Sequence, residues 1–298
     1  MAKRVAPGAR AAAAIAALAL LTAAGGARAV DLPPAPELPP ADASADPFAG
    51  WYLRGDIGAG FGPAPELRPE TGLFAPAVFP PYAAAGFRGA TLSPSGSVGG
   101  GVGYAFSGLF RADATLEYRF GGRYGAVGAL YDPAAPGGGP VFAADRVSAS
   151  VASVVALVNG SADLGTYWGV TPFVGAGIGV ARNSLSSVSD AGFAVAGGGA
   201  SPVGGLFANA SRTNFAWALT AGLGVDVAPN LRLELSYRYL DLGRIALGGG
   251  RGLCPAPACF AGAGSVASRG ALVSNDIRLG LVWMIGEPAA SAPVVARY

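Results

Sequence analysis

Two segments of the chain alternate apolar and polar residues over the length of a β-strand. Phe110 to Phe120 places its apolar side chains at even positions, and Leu231 to Leu240 places most of them at odd positions, with charged residues between them. Successive side chains of a strand point to opposite faces, so each segment has one apolar face and one ionic face. This pattern predicts strands of a membrane β-barrel with lipid outside and a polar lumen inside.

The same alternation predicts an all-β fold, an eight-stranded antiparallel up-and-down transmembrane β-barrel. The predicted strands are 51–61, 97–106, 109–120, a segment within 146–161, 170–182, 213–227, 231–240 and 275–285. The fourth strand is rich in Val and Ser, and its facing is ambiguous. In the fifth strand we expect Gly175, Gly177 and Gly179 to face inward and to leave room for arginines from other strands.

Short and long connections alternate between the predicted strands. Every second connection is a turn of a few residues, and the other four contain roughly 25 to 35 residues rich in Gly, Pro, Ala and Ser. Outer-membrane barrels have short periplasmic turns and longer external loops, so this rhythm predicts four long surface loops.

Aromatic residues on the apolar faces fall at two levels. The first level contains Trp51, Tyr104, Phe106, Phe110, Trp168 and Trp283, and the second contains Phe61, Tyr118, Phe120, Phe215, Trp217, Tyr237 and Tyr239. Aromatic girdles at both membrane interfaces are typical of such barrels.

Composition agrees with this fold class. Of 298 residues, 52% are hydrophobic and only 13% are charged, well below the charged share of about a quarter in soluble domains. After the N-terminal region, no apolar run reaches the roughly 20 residues that a transmembrane helix needs. The hydrophobicity must therefore lie in a core or in alternating strands.

The chain divides into four predicted regions. Residues 1–29 are expected to be a cleaved signal peptide, because basic residues precede the apolar stretch 11–21 and Ala27-Arg28-Ala29 is a small-x-small cleavage site; a buried alanine-rich helix is the alternative. Residues 30–48 form a Pro-rich periplasmic lead-in, 49–285 the barrel, and 286–298 a C-terminal extension. Cleavage would remove four positive charges and change the formal net charge from +2 to −2. No basic patch is then expected for nucleic acid or anionic lipid head groups.

The two cysteines, Cys254 and Cys259, lie close together in a Gly-rich loop. An exported chain meets oxidising conditions, so we expect a local disulfide between them. A metal site would need further ligands, and the sequence contains no histidine.

The inward faces carry six arginines and six acids. They are Arg54, Asp56, Arg111, Asp113, Glu117, Arg119, Asp226, Arg232, Glu234, Arg238, Asp276 and Arg278. Eight strands enclose an interior that side chains just fill, so balanced charges predict a salt-bridge network that plugs the lumen. The alternative is a narrow polar channel with a charged constriction.

No catalytic, cofactor-binding or metal residues are expected. Asp113 and Glu117 lie on one strand face among arginines, which is a poor setting for general acid–base work. Outer-membrane phospholipases, acyltransferases and many barrel proteases depend on a catalytic histidine, which this sequence lacks.

Several motifs resemble one known family. WYLRGDIGAG (51–60), TPFVGAG (171–177), LRLELSYRYLDLG (231–243) and NDIRLGLVW (275–283) resemble the first, fifth and last two strands of small OmpA-like outer-membrane barrels. These are the opacity-type and porin-like surface antigens of alphaproteobacteria. The resemblance implies an eight-stranded barrel in the outer membrane, a surface-antigen or envelope-integrity role and, as in most members of the family, no enzymatic activity. One departure is that residues 286–298 follow the last strand, where such barrels usually end on an aromatic residue.

The leading hypothesis is a non-enzymatic barrel that contributes to envelope structure and presents four long surface loops. The alternatives are a narrow passive pore for small solutes and a soluble, ligand-binding barrel with its apolar face inside. Expected partners are outer-membrane lipid, lipopolysaccharide and, during insertion, the barrel-assembly machinery, with no nucleic acid. The sequence does not identify a ligand for the surface loops.

Overall fold

A computed structural model describes residues 49–69, 84–106, 109–131, 141–196, 199–247, 250–253, 266–268 and 271–285. The predicted signal peptide, the Pro-rich lead-in, the C-terminal extension and both cysteines lie outside the described residues. Within the described ranges, no helix is long and apolar enough to cross a membrane.

Fourteen β-strands make up the described fold. They are β1 (Gly50–Phe61), β2 (Leu67–Pro69), β3 (Ala84–Leu92), β4 (Ser95–Ala105), β5 (Phe110–Tyr131), β6 (Val141–Asp163), β7 (Val170–Ala196), β8 (Gly199–Phe207), β9 (Ala210–Ala228), β10 (Leu231–Asp241), β11 (Ala246–Leu247), β12 (Gly250–Leu253), β13 (Val266–Ser268) and β14 (Val273–Met284). Eight of them, β1, β4, β5, β6, β7, β9, β10 and β14, form a closed antiparallel ring. The predicted eight-stranded all-β barrel is confirmed.

The facing of the ring strands follows the predicted alternation. Leu116 and Ile178 are about 60% exposed on the outer face, whereas Arg111 and Glu117 are buried inside. The structure also settles the facing of β6, where odd-numbered residues such as Val155 point inward.

The register of the ring fixes its shear. Hydrogen-bonded partners lead from Phe61 through Asn275, Tyr239, Leu219, Ala176, Gly160, Ala112 and Tyr104 to Trp51. The row therefore returns to β1 ten residues below its start, which is a shear number of 10. With a rise of about 3.3 Å per residue and a strand spacing of about 4.8 Å, the strands tilt by roughly 40° and each residue adds about 2.5 Å of height.

This geometry separates the two aromatic levels. Trp51 and Phe61 are ten residues apart on β1, which places them about 25 Å apart in height, the usual height of the apolar band of an outer-membrane barrel. Trp51 packs edge-on against Tyr104, with ring centroids 5.3 Å apart. The Trp51 level lies at the turn end of the barrel, where short connections such as 229–230 join the strands. The opposite end is the loop end.

One wall of the barrel is much taller than the sequence predicted. β5, β6 and β7 contain 22, 23 and 27 residues, whereas β1 and β14 contain 12 each. β3 extends this wall by pairing with β5, and β8 by pairing with β7. Much of the segments 121–145 and 183–212, predicted to be loops, is therefore strand.

Two β-bulges explain this difference. The pairing of β5 with β6 slips between Arg119 and Gly122, and Gly121 has a φ of +80°. A second slip in β7 surrounds Ser187, whose φ is +52°. Each bulge adds one residue and moves the inward positions from odd to even numbers, so a strict period of two ends there.

Candidate functional site

The charged residues of the lumen form one connected network of ion pairs. It runs from Asp226 through Arg232, Asp163, Arg111 and Glu234 to Arg54, branches to Asp113 and Asp56, and continues through Arg278 and Glu117 to Arg119, Arg238 and Asp276. Its N–O distances lie between 2.6 and 3.8 Å. All twelve residues named from the sequence belong to this network, which we call the lumen network.

The part of the lumen network nearer the loop end centres on Asp276 of β14, which is fully buried. Its carboxylate accepts hydrogen bonds from Arg119 of β5 at 2.8 Å and from Arg238 of β10 at 2.6 Å. Arg238 also donates to both oxygens of Glu117 at 2.8 Å. β5 and β10 are not neighbours in the ring, so these contacts connect opposite walls across the lumen.

The part nearer the turn end centres on Arg54 and Arg111. Arg54 donates to Asp113 at 2.9 Å, and Arg111 donates to Glu234 at 2.6 Å and to Asp163 at 2.9 Å. Asp113 also accepts hydrogen bonds from two neutral groups, the hydroxyl of Tyr52 at 2.8 Å and the side-chain amide of Asn159 at 2.7 Å.

Asp163 is a member that the sequence reasoning missed. The sequence placed it at the start of a turn, but it is the last residue of β6, is 5% exposed and accepts from both Arg111 and Arg232. Asp163 and Asn159 both have odd numbers and therefore lie on the same face of β6. This pattern would have placed Asp163 in the lumen if the facing of β6 had been known from the sequence. With Asp163 the lumen network contains seven acids and six arginines, and the acid nearest solvent is Asp226, whose side chain is 37% exposed.

Glycines make room for this network, although not those of the fifth predicted strand. A Cβ at Gly60 would overlap Arg119 and Asp276, and one at Gly280 would meet Asp56 at 2.7 Å. Gly175 and Gly177 instead face Ser161 and Asn159 of β6, so the side chains nearest to these inward glycines of β7 are polar residues of β6 and not the expected arginines. The lumen arginines project from β1, β5, β10 and β14, and one of them, Arg111, reaches β7, where its guanidinium lies 5.2 Å from the ring centroid of Phe173.

A large apolar cluster lies beyond the lumen network in the interior. Its buried members are Tyr124, Ala126, Val147, Ala149, Val151, Val155, Leu157, Ala181, Leu185, Val188, Ala216, Ala218, Leu240, Leu242, Ile245 and Leu272. Most come from the inner faces of the tall wall, and the others come from β9, from the end of β10 and the segment after it, and from the residue before β14. The lumen therefore contains ion pairs at the level of the apolar band, a hydrophobic core nearer the loop end, and a smaller apolar cluster of Tyr52, Ala105, Val282 and Met284 at the turn end.

Two asparagines hold the segment after β10 over the mouth of the barrel. Asn183 of β7 donates to the carbonyl oxygen of Leu242 at 2.8 Å and accepts from Ser153 at 2.7 Å. Asn214 of β9 donates to the carbonyl of Arg244 at 2.8 Å. These bonds satisfy backbone groups inside the mouth and place Ile245, which is fully buried, within the apolar cluster.

A small cavity remains where the lumen network meets the apolar cluster. Its volume is about 30 Å³, and its lining includes Arg119, Ser153, Ser274 and Leu272. This space holds only a few water molecules.

A pair of carboxyl groups lies on the inner face of the tall wall, about 20 Å above the level of Phe61 at the height gained per residue in tilted strands. Burial and the nearby Asp145 carboxylate raise the pKa of Asp190 to about 8. One carboxylate oxygen of Asp190 is buried without a hydrogen-bond partner. The ionised form is therefore disfavoured in the folded wall.

Comparison with known proteins gives the family of this barrel. The family model described as the outer membrane protein beta-barrel domain matches residues 12–253, which is most of the chain. The chain belongs to this family. It is accordingly an outer-membrane barrel of the Gram-negative type.

Relatives and solved structures give similarity without a shared activity. A protein of Brucella suis biovar 1 (strain 1330), named only as uncharacterized, is 32% identical over 205 residues, or 65% of this chain and 68% of that protein. A protein of Rickettsia felis whose name proposes an adhesin is 33% identical over 147 residues, or 48% of this chain and 58% of that one. The outer membrane protein OprG from Pseudomonas aeruginosa matches 81% of this chain and 98% of its own at 11% identity, with a TM-score of 0.41. Neisserial surface protein A matches 80% and 98% at 15% identity, with a TM-score of 0.32.

Two substitutions of the same kind test the lumen network. We expect Asp276→Asn to lower the free energy of unfolding by about 3 to 5 kcal/mol, because it leaves buried arginines without their counter-charge. Asp226→Asn is the matched control at the exposed turn end of the lumen and should lower the free energy of unfolding by less than about 1 kcal/mol. Urea titration of the barrel in lipid vesicles measures both values, and equal effects of the two variants would contradict the network.

The raised pKa of Asp190 predicts that the tall wall is less stable at alkaline pH. The pKa of this acid is higher in the folded state than in the unfolded state, so its contribution is favourable at low pH and is lost as pH rises through about 8. Amide hydrogen exchange of residues 184–192, corrected for the intrinsic rate, should therefore show less protection at pH 9 than at pH 5. Asp190→Asn should remove most of this difference, and an unchanged pH dependence in that variant would refute the prediction.

Proposed function

We propose that this outer-membrane barrel is a non-enzymatic protein with a closed lumen, which contributes to envelope structure and presents its loop end at the cell surface. The observation that carries the proposal is the continuous lumen network. Its members are buried except for Asp226, at the turn end, and Arg54, which is nearly buried. A passive pore needs a water-filled path, and ion pairs that cross the lumen occupy that path.

The arrangement of the carboxylates supports a structural role over a catalytic one. Asp276, Glu117, Asp113 and Glu234 each accept from an arginine and from at least one further donor. A general acid or base needs a free proton-transfer position next to a substrate. These side chains instead use their oxygens to neutralise buried guanidinium groups.

The surface role of the proposal concerns the tall wall and the connections at the loop end. β5, β6 and β7 carry ordered backbone beyond the apolar band, so a sizeable protein surface projects from one side of the barrel. Four long external loops, as predicted from the sequence, belong to this proposal, although strand replaces much of two of them.

Planar-bilayer recording separates the closed barrel from the narrow pore. We expect the purified, folded protein to insert without stable conductance steps, because the lumen network and the apolar cluster together fill the interior. Insertion is verified by protease protection and by heat-modifiable mobility on a gel. Stable conductance steps whose size changes in the Arg238→Gln variant, and stays constant in the control variant Asp226→Asn, would establish the pore instead.

A further inference from the structure

Two groups of arginines in this barrel have different surroundings. Six are inside and paired with acids in the lumen network, whereas Arg123, Arg146 and Arg182 are exposed on the outer face of the tall wall. In the described part of the chain, none of these three has an acidic partner. Arg182 donates a hydrogen bond to the hydroxyl of Ser211 at 3.0 Å, which leaves its charge uncompensated.

Acids of the described loop end do not neutralise this face. Asp145 and Asp190 lie on the inner face of the tall wall, the Asp241 carboxylate accepts from the backbone of Gly243, and Glu66 belongs to the segment after β1. The outer face of β5, β6 and β7 above the apolar band is therefore positively charged, although the mature chain as a whole is predicted to be slightly negative.

The shear of the barrel gives the height of these arginines. A row of hydrogen-bonded partners descends by ten residues over the eight strands, or by about 1.25 residues per strand. Residues at the same height on neighbouring strands are therefore offset from hydrogen-bonded partners by this amount. The level of Phe61 on β1 is then the level of Phe120 on β5 and of Phe215 on β9. Arg182 lies at that level on β7, and Arg123 lies roughly 6 Å higher on β5, at about 2.5 Å of height per residue.

The change from apolar to polar at this height is abrupt. On β7 the outward residues Ile178 and Val180 are followed by Arg182 and Ser184, and on β5 Phe120 is followed by Arg123. Ser150 of β6 is the direct partner of Arg123 and brings a hydroxyl group between the two arginines. We call Arg123, Ser150, Arg182 and Ser184 the rim patch.

We propose that the rim patch binds the phosphate groups of phosphorylated lipids in the outer leaflet of the membrane that surrounds the barrel. Guanidinium groups form strong charge-assisted hydrogen bonds with phosphate, and hydroxyl groups add further donors. The patch starts where the apolar band ends, so a lipid whose acyl chains lie against Ile178 and Val180 places its phosphate beside Arg182. The proposal needs the outer-membrane location and does not depend on a closed lumen.

Direct binding measurements test this proposal on the full-length folded barrel in detergent micelles. Native mass spectrometry would follow titration with bisphosphorylated lipid A, with the same lipid lacking both phosphates, and with inorganic phosphate. We expect binding of the bisphosphorylated lipid, at least tenfold weaker binding of the dephosphorylated lipid, and no displacement by an equal concentration of inorganic phosphate.

Charge-removing variants assign the binding to the rim patch. Arg123→Gln combined with Arg182→Gln should weaken lipid A binding at least tenfold, and the two Lys replacements should restore most of it. The matched control is Arg212→Gln combined with Arg244→Gln, two exposed arginines at the loop end that lie outside the patch. Equal affinity in the Arg123/Arg182 variant and the control, equal binding of the dephosphorylated lipid, or displacement by inorganic phosphate would overturn the proposal.

Discussion

The narrowness of an eight-stranded lumen is the constraint on which the rest of this structure depends. Its interior has room for side chains and little water, so each charge buried in it at the level of the apolar band must find an opposite charge there. Asp276 shows the consequence, because it is fully buried and its oxygens are occupied by Arg119, Arg238 and Ser274. These partners come from β5, β10 and β14, so no strand can change its inward residues independently of the others.

The same constraint explains the apolar cluster at the loop end. Where the walls of β1, β10 and β14 end, the tall wall continues and its inner face turns apolar, with Tyr124, Val147 and Leu185 in place of charges. The segment after β10 covers this face, and Asn183 satisfies the backbone carbonyls that this covering buries. The interior thus changes from ionic to hydrophobic along the axis of the barrel.

Sequence reasoning reached the architecture because the two faces of most strands differ sharply in polarity. It failed where that contrast was interrupted. The bulges at Gly121 and Ser187 shift the alternation by one residue, so β5 and β7 continued unseen beyond them. Asp163 was assigned to a turn because small and hydroxyl residues obscure the facing of β6.

Net charge was a poor guide to the outer surface for a physical reason. The lumen network neutralises its six arginines internally, so the total charge of the chain does not describe what faces the membrane. Arg123 and Arg182 are exposed on the outside, and only the shear of the barrel reveals that both lie just above the apolar band, within roughly 6 Å of each other in height. Pairing and register are tertiary properties, and the linear pattern does not contain them.

The central claim is that ion pairs connect opposite walls of the barrel across its lumen. A double-mutant cycle between Arg238 of β10 and Glu117 of β5 measures this most directly, with Gln at each position and the free energy of unfolding in lipid vesicles as the readout. We predict a coupling energy of at least about 1.5 kcal/mol, because both groups are buried and joined by two hydrogen bonds. Effects that add to within about 0.5 kcal/mol would contradict the claim.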